Sequence, residues 1–138
     1  MSTGFVISMK YVLYGSPKQV YEALTDSGAI EQWSNSKGTL EAKKEGDFNW
    51  FDGWASGTVV AVDKNKSLQF TWKASNWGKK TKESMVNIQL NDHAAGTEVI
   101  LTHADLPNAD EQKKHRNGWV DYVLDPLNDY FSFKMAAN

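Results

Sequence analysis

Three histidines, His93, His103 and His115, are the residues of this sequence best suited to proton transfer or metal ligation. Imidazole titrates near neutral pH, and its neutral nitrogens ligate zinc. Their spacing argues against a shared ion. His93 falls at a hairpin tip and His103 at the far end of the following strand, ten residues on. At about 3.3 Å per residue that separates them by up to roughly 30 Å. His115, on a closing helix, can meet at most one of the two, so no metal site and no cofactor is expected. The chain has no cysteine, which removes disulfides, thiolate zinc sites and cysteine nucleophiles. Ser56-Gly57 lacks the leading glycine of a G-x-S-x-G elbow. Asp26, Glu31, Asp47 and Asp52 stand beside turns and helix ends, where capping and solvation account for them. No catalytic constellation emerges; the only acid/base candidates are His103 and Tyr122.

The aromatic residues offer a different chemistry. Six tryptophans, five tyrosines and six phenylalanines occur among 138 residues. They can fill a core or line an apolar cavity. Trp72 shares a strand face with Leu68 and Phe70, and Trp119 begins a helical stripe that must cover that face. These two are expected to border any cavity. Trp33, Trp50, Phe70, Leu101, His103, Tyr122, Val123 and Pro126 complete the candidate ligand-binding set. Trp54 and Trp77 stand beside turn signals and are expected near loop tips, as a rim or contact surface.

The elements that must position these residues are legible as periodicities. Phe5, Ile7, Met9, Tyr11 and Leu13 alternate with polar neighbours, the pattern of a half-buried strand. Ser16-Pro17-Lys18-Gln19 starts a helix, with Ser16 as N-cap, Pro17 at the first helical position and Gln19 closing a capping box. Asp26-Ser27-Gly28 stops it, and Ala29 to Trp33 forms a second, short helix. Strands follow at 38–42, 47–51, 55–63, 67–75, 83–91 and 97–104, separated by turn signals such as Asp52-Gly53 and Ala95-Gly96. The last of them carries apolar residues on both faces and is expected to be covered on both sides. From Asp110 to about Lys134 a long helix closes the chain. Short strands in quick succession make an antiparallel meander, and its large apolar face requires the terminal helix across it.

Within that helix Trp119, Tyr122, Val123, Leu127, Tyr130 and Phe131 form an aromatic stripe, interrupted by Pro126. Proline in a helix interior costs roughly 3 kcal/mol. Asp125-Pro126 therefore reads as the N-cap and first position of a new turn, with a kink or break at Leu124–Asp125.

Composition excludes several function classes. Net charge is −2 and Arg116 is the sole arginine among 15 basic residues. Phosphate and base recognition lean on arginine forks, so nucleic acid is not an expected partner. The Lys79/Lys80/Lys82 and Lys113/Lys114/Arg116 clusters read as solvated faces, or as a means of steering an anionic head group toward a cavity mouth. No apolar run approaches the roughly 20 residues of a membrane span, and Met-Ser-Thr-Gly-Phe-Val has no basic signal-peptide region. The expectation is a cytoplasmic protein, without a membrane partner, either monomer or homodimer. A chain of this length buries roughly two thirds of its unfolded surface, which suits one domain over 1–138.

Four segments, "VYEALTDSGAIEQW" (20–33), "GTVVAVDKNKSLQFTW" (57–72), "GTEVILTHADL" (96–106) and "GWVDYVLDPL" (118–127), resemble in order the landmarks of the activator-of-Hsp90-ATPase-homologue (AHSA1-like) family, within the START-like (SRPBCC) helix-grip superfamily. The resemblance implies an α+β helix-grip fold: a curved antiparallel sheet of about seven strands wrapped around a long C-terminal helix, in the order β-α-α-β6-α, with a cavity between them. Three functions compete. The leading one is a binding module for an apolar or amphipathic small molecule in that cavity. The second is a cyclase- or dehydratase-type enzyme using His103 or Tyr122 there, which the scarcity of polar residues disfavours. The third, implied by the resemblance, is a co-chaperone-like module for a protein partner, using a patch around Trp54 or Trp77.

Overall fold

Polar–apolar alternation builds the sheet strand by strand, and the computed structural model describes residues 4–136 of it and its helices. Strands β1 (Phe5–Leu13), β2 (Thr39–Leu40), β3 (Asp47–Trp50), β4 (Ala55–Asp63), β5 (Ser67–Ala74), β6 (Ser84–His93) and β7 (Gly96–Leu106) form one sheet. Its order is β1-β7-β6-β5-β4-β3-β2, and every pair is antiparallel. The meander runs from β2 to β7, and the first strand returns to lie beside the last. Leu68, Phe70, Trp72 and Ala74 of β5 are all buried, as are Val86, Ile88 and Leu90 of β6. On β7 one face is buried through Thr97, Val99, Leu101 and His103, while Ile100 and Thr102 opposite are only half-buried. The expected cover on both sides of that strand is therefore absent: apolar content on its second face is met by partial exposure.

Two short helices connect β1 to β2. Ser16 caps α1 (Pro17–Thr25), and the Ser16 and Gln19 side chains satisfy each other's backbone N–H in a complete capping box. Helix α2 (Ser27–Ser34) begins earlier than the sequence pattern indicates. Asp26 both ends α1 and caps α2 through a 2.9 Å bond from Ala29 N–H, so Ser27 and Gly28 form a first turn and not a linker.

The closing helix is where the structure departs most from expectation. Helix α3 (Ala109–Gly118) runs into a π-helical stretch at Trp119–Leu124 and then into α4 (Asp125–Ala136). Asp125 keeps helical backbone angles, and its N–H bonds to the Val120 carbonyl five residues back. Asp125 is thus not an N-cap, and the helix does not break at Leu124–Asp125. It accommodates Pro126, which has no N–H to give, by widening the turn before it. The extra residue in the wide turn shifts the buried stripe. Trp119, Val123, Leu124, Leu127 and Phe131 face the sheet, and Tyr122 is rotated outward to 67% exposure. Two polar bonds tie α4 to β1 and the residue after it: the Tyr11 hydroxyl donates to the Asp125 carboxylate, and Tyr14 N–H to Asn128 Oδ1 at 3.1 Å.

The core between sheet and helix is filled by rings. Phe48 stacks on Trp72 at 5.4 Å and lies 4.4 Å from Phe70, while Trp119 meets Trp72 at 5.2 Å and Trp50 at 6.3 Å. These side chains occupy the middle of the expected cavity between sheet and helix, and the space that remains lies at one end.

Candidate functional site

Open space remains at one end of the grip. A cleft of about 570 Å³ lies between the end of α2, the β3–β4 turn, the end of β5, and the α3 and π-helical stretch. Phe51, Trp54, Trp72, Trp119, Tyr122 and Val123 supply its apolar walls, and Ser34, Asn35, Ser36 and Asn76 supply polar groups around it. Glu111, Lys114 and His115 enter from α3. Two other depressions, of about 610 and 880 Å³, have no aromatic residue in their linings, the second lying over the Gln69, Asn87 and Gln89 face of the sheet. A small-molecule site needs an apolar wall with a few convergent polar groups, and the 570 Å³ cleft has both.

Of the ten sequence-derived ligand residues, Trp72, Trp119, Tyr122 and Val123 line this cleft. Trp33, Trp50, Phe70, Leu101 and His103 are buried in or beside the ring-filled core beneath it, and Pro126 lies in the first turn of α4 beyond it. The rim expectation divides. Trp54 is 40% exposed at the cleft mouth, whereas Trp77 is only 9% exposed and packs against His115, its ring 5.6 Å away. Trp77 follows a turn that folds back over α3, so proximity to a turn does not expose it.

Beneath the cleft floor two histidines sit with ring centres 5.4 Å apart. His115 of α3 is the one that meets His103 of β7; His93 lies at the β6–β7 hairpin, paired with Gly96. Hydrogen bonds fix the protonation of both. Trp119 Nε1–H donates to His103 Nδ1 at 3.0 Å, so that nitrogen carries a lone pair. His103 Nε2–H then donates to Ser84 Oγ at 2.7 Å, and the Ser84 hydroxyl donates onward to the Trp72 carbonyl at 2.8 Å. In parallel, Trp72 Nε1–H donates to His115 Nε2 at 3.2 Å, which leaves His115 Nδ1–H for the Glu111 carbonyl at 2.9 Å. Both imidazoles are neutral. Burial, then the facing His115, pushes the His103 pKa down to about 3. His115 is also lowered, chiefly by burial, with the Glu111 carbonyl and carboxylate partly opposing the shift. With its Nε2 protonated and both nitrogens engaged, His103 presents no free base to Ser84, so this contact is a structural bond and not a nucleophile pair.

Sequence reasoning weighed His115 only as a metal ligand, and missed Glu111, Phe51 and the Ser34–Ser36 turn. Their signal was weak: Glu111 and His115 are four apart on a helix, one turn before the aromatic stripe. Among the described residues no group of three or more histidine, aspartate or glutamate side chains is arranged to hold a metal ion.

A curved seven-stranded antiparallel sheet closed by a C-terminal helix, with its open space where helix and sheet diverge, defines a START-like helix-grip domain. A family model described as Activator of Hsp90 ATPase homolog 1-like protein matches residues 15–132, and the chain belongs to that family. It is similar to the human activator of 90 kDa heat shock protein ATPase homolog 1, with 24% identity over 127 residues, 92% of this chain and 37% of that protein. The chain thus spans little more than a third of that curated relative. Among solved structures it resembles an HSP90 activator from Plasmodium falciparum, with TM-score 0.79, 23% identity and coverage of 93% of this chain and 95% of that one. It also resembles the Aha1 dimer from Colwellia psychrerythraea, with TM-score 0.74, 20% identity and coverage of 91% and 94%. These structural likenesses establish the fold. No helix among the described residues is long and apolar enough to cross a membrane.

Proposed function

We propose that the domain is a binding module whose cleft takes an apolar or amphipathic small molecule. The observation that carries this reading is the coexistence of a filled core and an open 570 Å³ cleft walled by Phe51, Trp54, Trp72, Trp119 and Tyr122. Volumes of about 300–1,000 Å³ are usual for small-ligand sites. A large exposed aromatic such as Tyr122, 67% exposed at such a wall, gains burial when the cleft is occupied. The test is a titration of intrinsic tryptophan fluorescence with an uncharged, environment-sensitive propionyl(dimethylamino)naphthalene dye. Saturable uptake at one site, weakened in Trp54→Ala and Tyr122→Ala, is the expected result. Absence of saturable uptake by the folded wild-type protein overturns the reading.

Family membership supports a second reading, regulation of an Hsp90-type ATPase through a protein surface. Trp54, exposed at the cleft rim, would then be part of the contact. Steady-state ATP hydrolysis by an Hsp90-type chaperone, measured with and without the domain, decides it: stimulation lost in Trp54→Ala supports the reading, and unchanged hydrolysis counts against it.

A further inference from the structure

The charge balance of the cleft indicates which amphipath it takes. Glu111 is a largely buried carboxylate in the cleft wall, its side chain 15% exposed, and its ion-pair partner is His115 Nδ1 at 3.3 Å. That partner is a cation only if His115 holds two protons. The Trp72 N–H aimed at His115 Nε2 requires that nitrogen to be an acceptor, so His115 stays neutral and leaves Lys114 as the cation acting on the Glu111 carboxylate. Lys114, the cation on the same wall, is turned to Asp110, 3.0 Å away at an exposed i,i+4 spacing. No other charged side chain borders the cleft among the described residues. Two carboxylates, Asp110 and Glu111, thus share one lysine, and a ligand that brings a positive charge to the half-buried Glu111 adds the missing balance.

The surroundings suit such a ligand. Trp54 stacks on His115 at 5.8 Å and meets Trp72 at 6.0 Å, and Trp72 meets Trp119 at 5.2 Å, a continuous run of ring faces beside the Glu111 carboxylate. Ring faces carry negative electrostatic potential and attract alkylammonium groups within about 6 Å. The α2 C-terminus, capped at Asn35, contributes the negative end of its dipole to the same mouth. We infer that the cleft selects an amphipathic cation, with an alkylammonium head beside Glu111 against the rings of Trp54 and Trp72 and an apolar tail along Trp119 and Val123. This inference rests on the cleft being the binding site proposed above, and adds the charge of its occupant.

The test compares three ligands of equal chain length on the intact chain by isothermal titration below their micelle concentrations: decyltrimethylammonium, neutral decyl maltoside and anionic decanoate. The cation is expected to bind about tenfold tighter than either of the others. Glu111→Gln should bring the three within about threefold, and Lys114→Gln, at an exposed position, should raise the cation's affinity about two- to threefold. Added salt should weaken the cation selectively. Equal or tighter binding of decanoate or the maltoside overturns the charge inference while leaving the cleft as a binding site. Binding of none of the three overturns both. A cation preference that survives Glu111→Gln, checked for unchanged circular dichroism, removes Glu111 as its source and overturns the inference.

Discussion

Trp119 Nε1–H donates to His103 Nδ1 at 3.0 Å, and this bond sets the proton position of a side chain on the neighbouring sheet. It is one link in two hydrogen-bond runs that connect the π-helical stretch, β7, β6, β5 and α3. An aromatic core has no internal polar network of its own; here two histidines and a serine supply one, while the Trp50 and Trp77 ring N–H groups are buried without a protein acceptor.

Nitrogen-15 spectra of the imidazoles should therefore show His103 as the Nε2–H tautomer and His115 as the Nδ1–H tautomer at neutral pH. Trp119→Phe removes the donor to His103. It should cost about 1–3 kcal/mol in urea unfolding, from the orphaned buried acceptor. A wild-type His103 protonated on Nδ1 would refute the assignment.

Stability should fall on acidification, and His103 should account for a definable part. Its pKa is about 3 folded against 6.5 unfolded. The unfolded chain accepts a proton that the folded chain refuses, so the loss begins below about pH 6.5 and continues until the folded form also titrates near pH 3. Between pH 7 and pH 5 it amounts to about 2 kcal/mol. His115 acts in the same direction. Urea unfolding of wild type and His103→Gln at both pH values measures it: the variant should lose about 2 kcal/mol less. Equal losses would mean that His103 is not held neutral.

Trp72 is 3% exposed and touches Phe48, Trp119, His103 and His115. Trp72→Ala should cost about 3–5 kcal/mol, the range for a large ring in a filled core. Chemical denaturation with a loss below about 1 kcal/mol would show that the ring's core-facing side is not closely packed.

The wide turn before Pro126 gives a deletion test. Without Tyr122, the buried residues Trp119, Val123, Leu124 and Leu127 would fall at the i, i+3, i+4, i+7 spacing of a regular α-helix. Deleting Tyr122 together with Pro126→Ala should leave a folded protein with an uninterrupted helix, visible as sequential amide contacts in NMR. An unfolded product would mean that the π turn is required for the grip itself.

Much of the architecture was legible in the sequence because it is written in local periodicity. The alternation in β5 and β6 and the Ser16–Gln19 capping box needed only neighbouring residues to be read. The site was less legible. His103 and His115 meet because β7 and α3 pack together, and no spacing encodes that. Trp77 looked like a rim residue because turn signals mark where the chain reverses, not what covers it. Pro126 announced a disturbance, but its nature depended on tertiary demand: the sheet needs Trp119 and Leu127 on one side, and a widened turn meets that demand where a break would not. The family's landmarks identified the grip and left open where within it space remains.

The return of β1 to the far side of the meander has a kinetic consequence. Strands β2 to β7 can pair as successive hairpins, each with the strand just made. Ile7, in contrast, pairs with His103, and Tyr11 bonds to Asp125 across 114 positions of chain. Closing so long a loop is slow, because its entropy cost precedes any contact that rewards it. During synthesis the first strand must therefore wait, unpaired and carrying Phe5, Val6 and Ile7, until the sequence through Leu106 has emerged. Its final fastening comes later still, when Asp125 and Asn128 arrive. Strand β1 precedes every other strand of the sheet in the chain and is among the last to find its place.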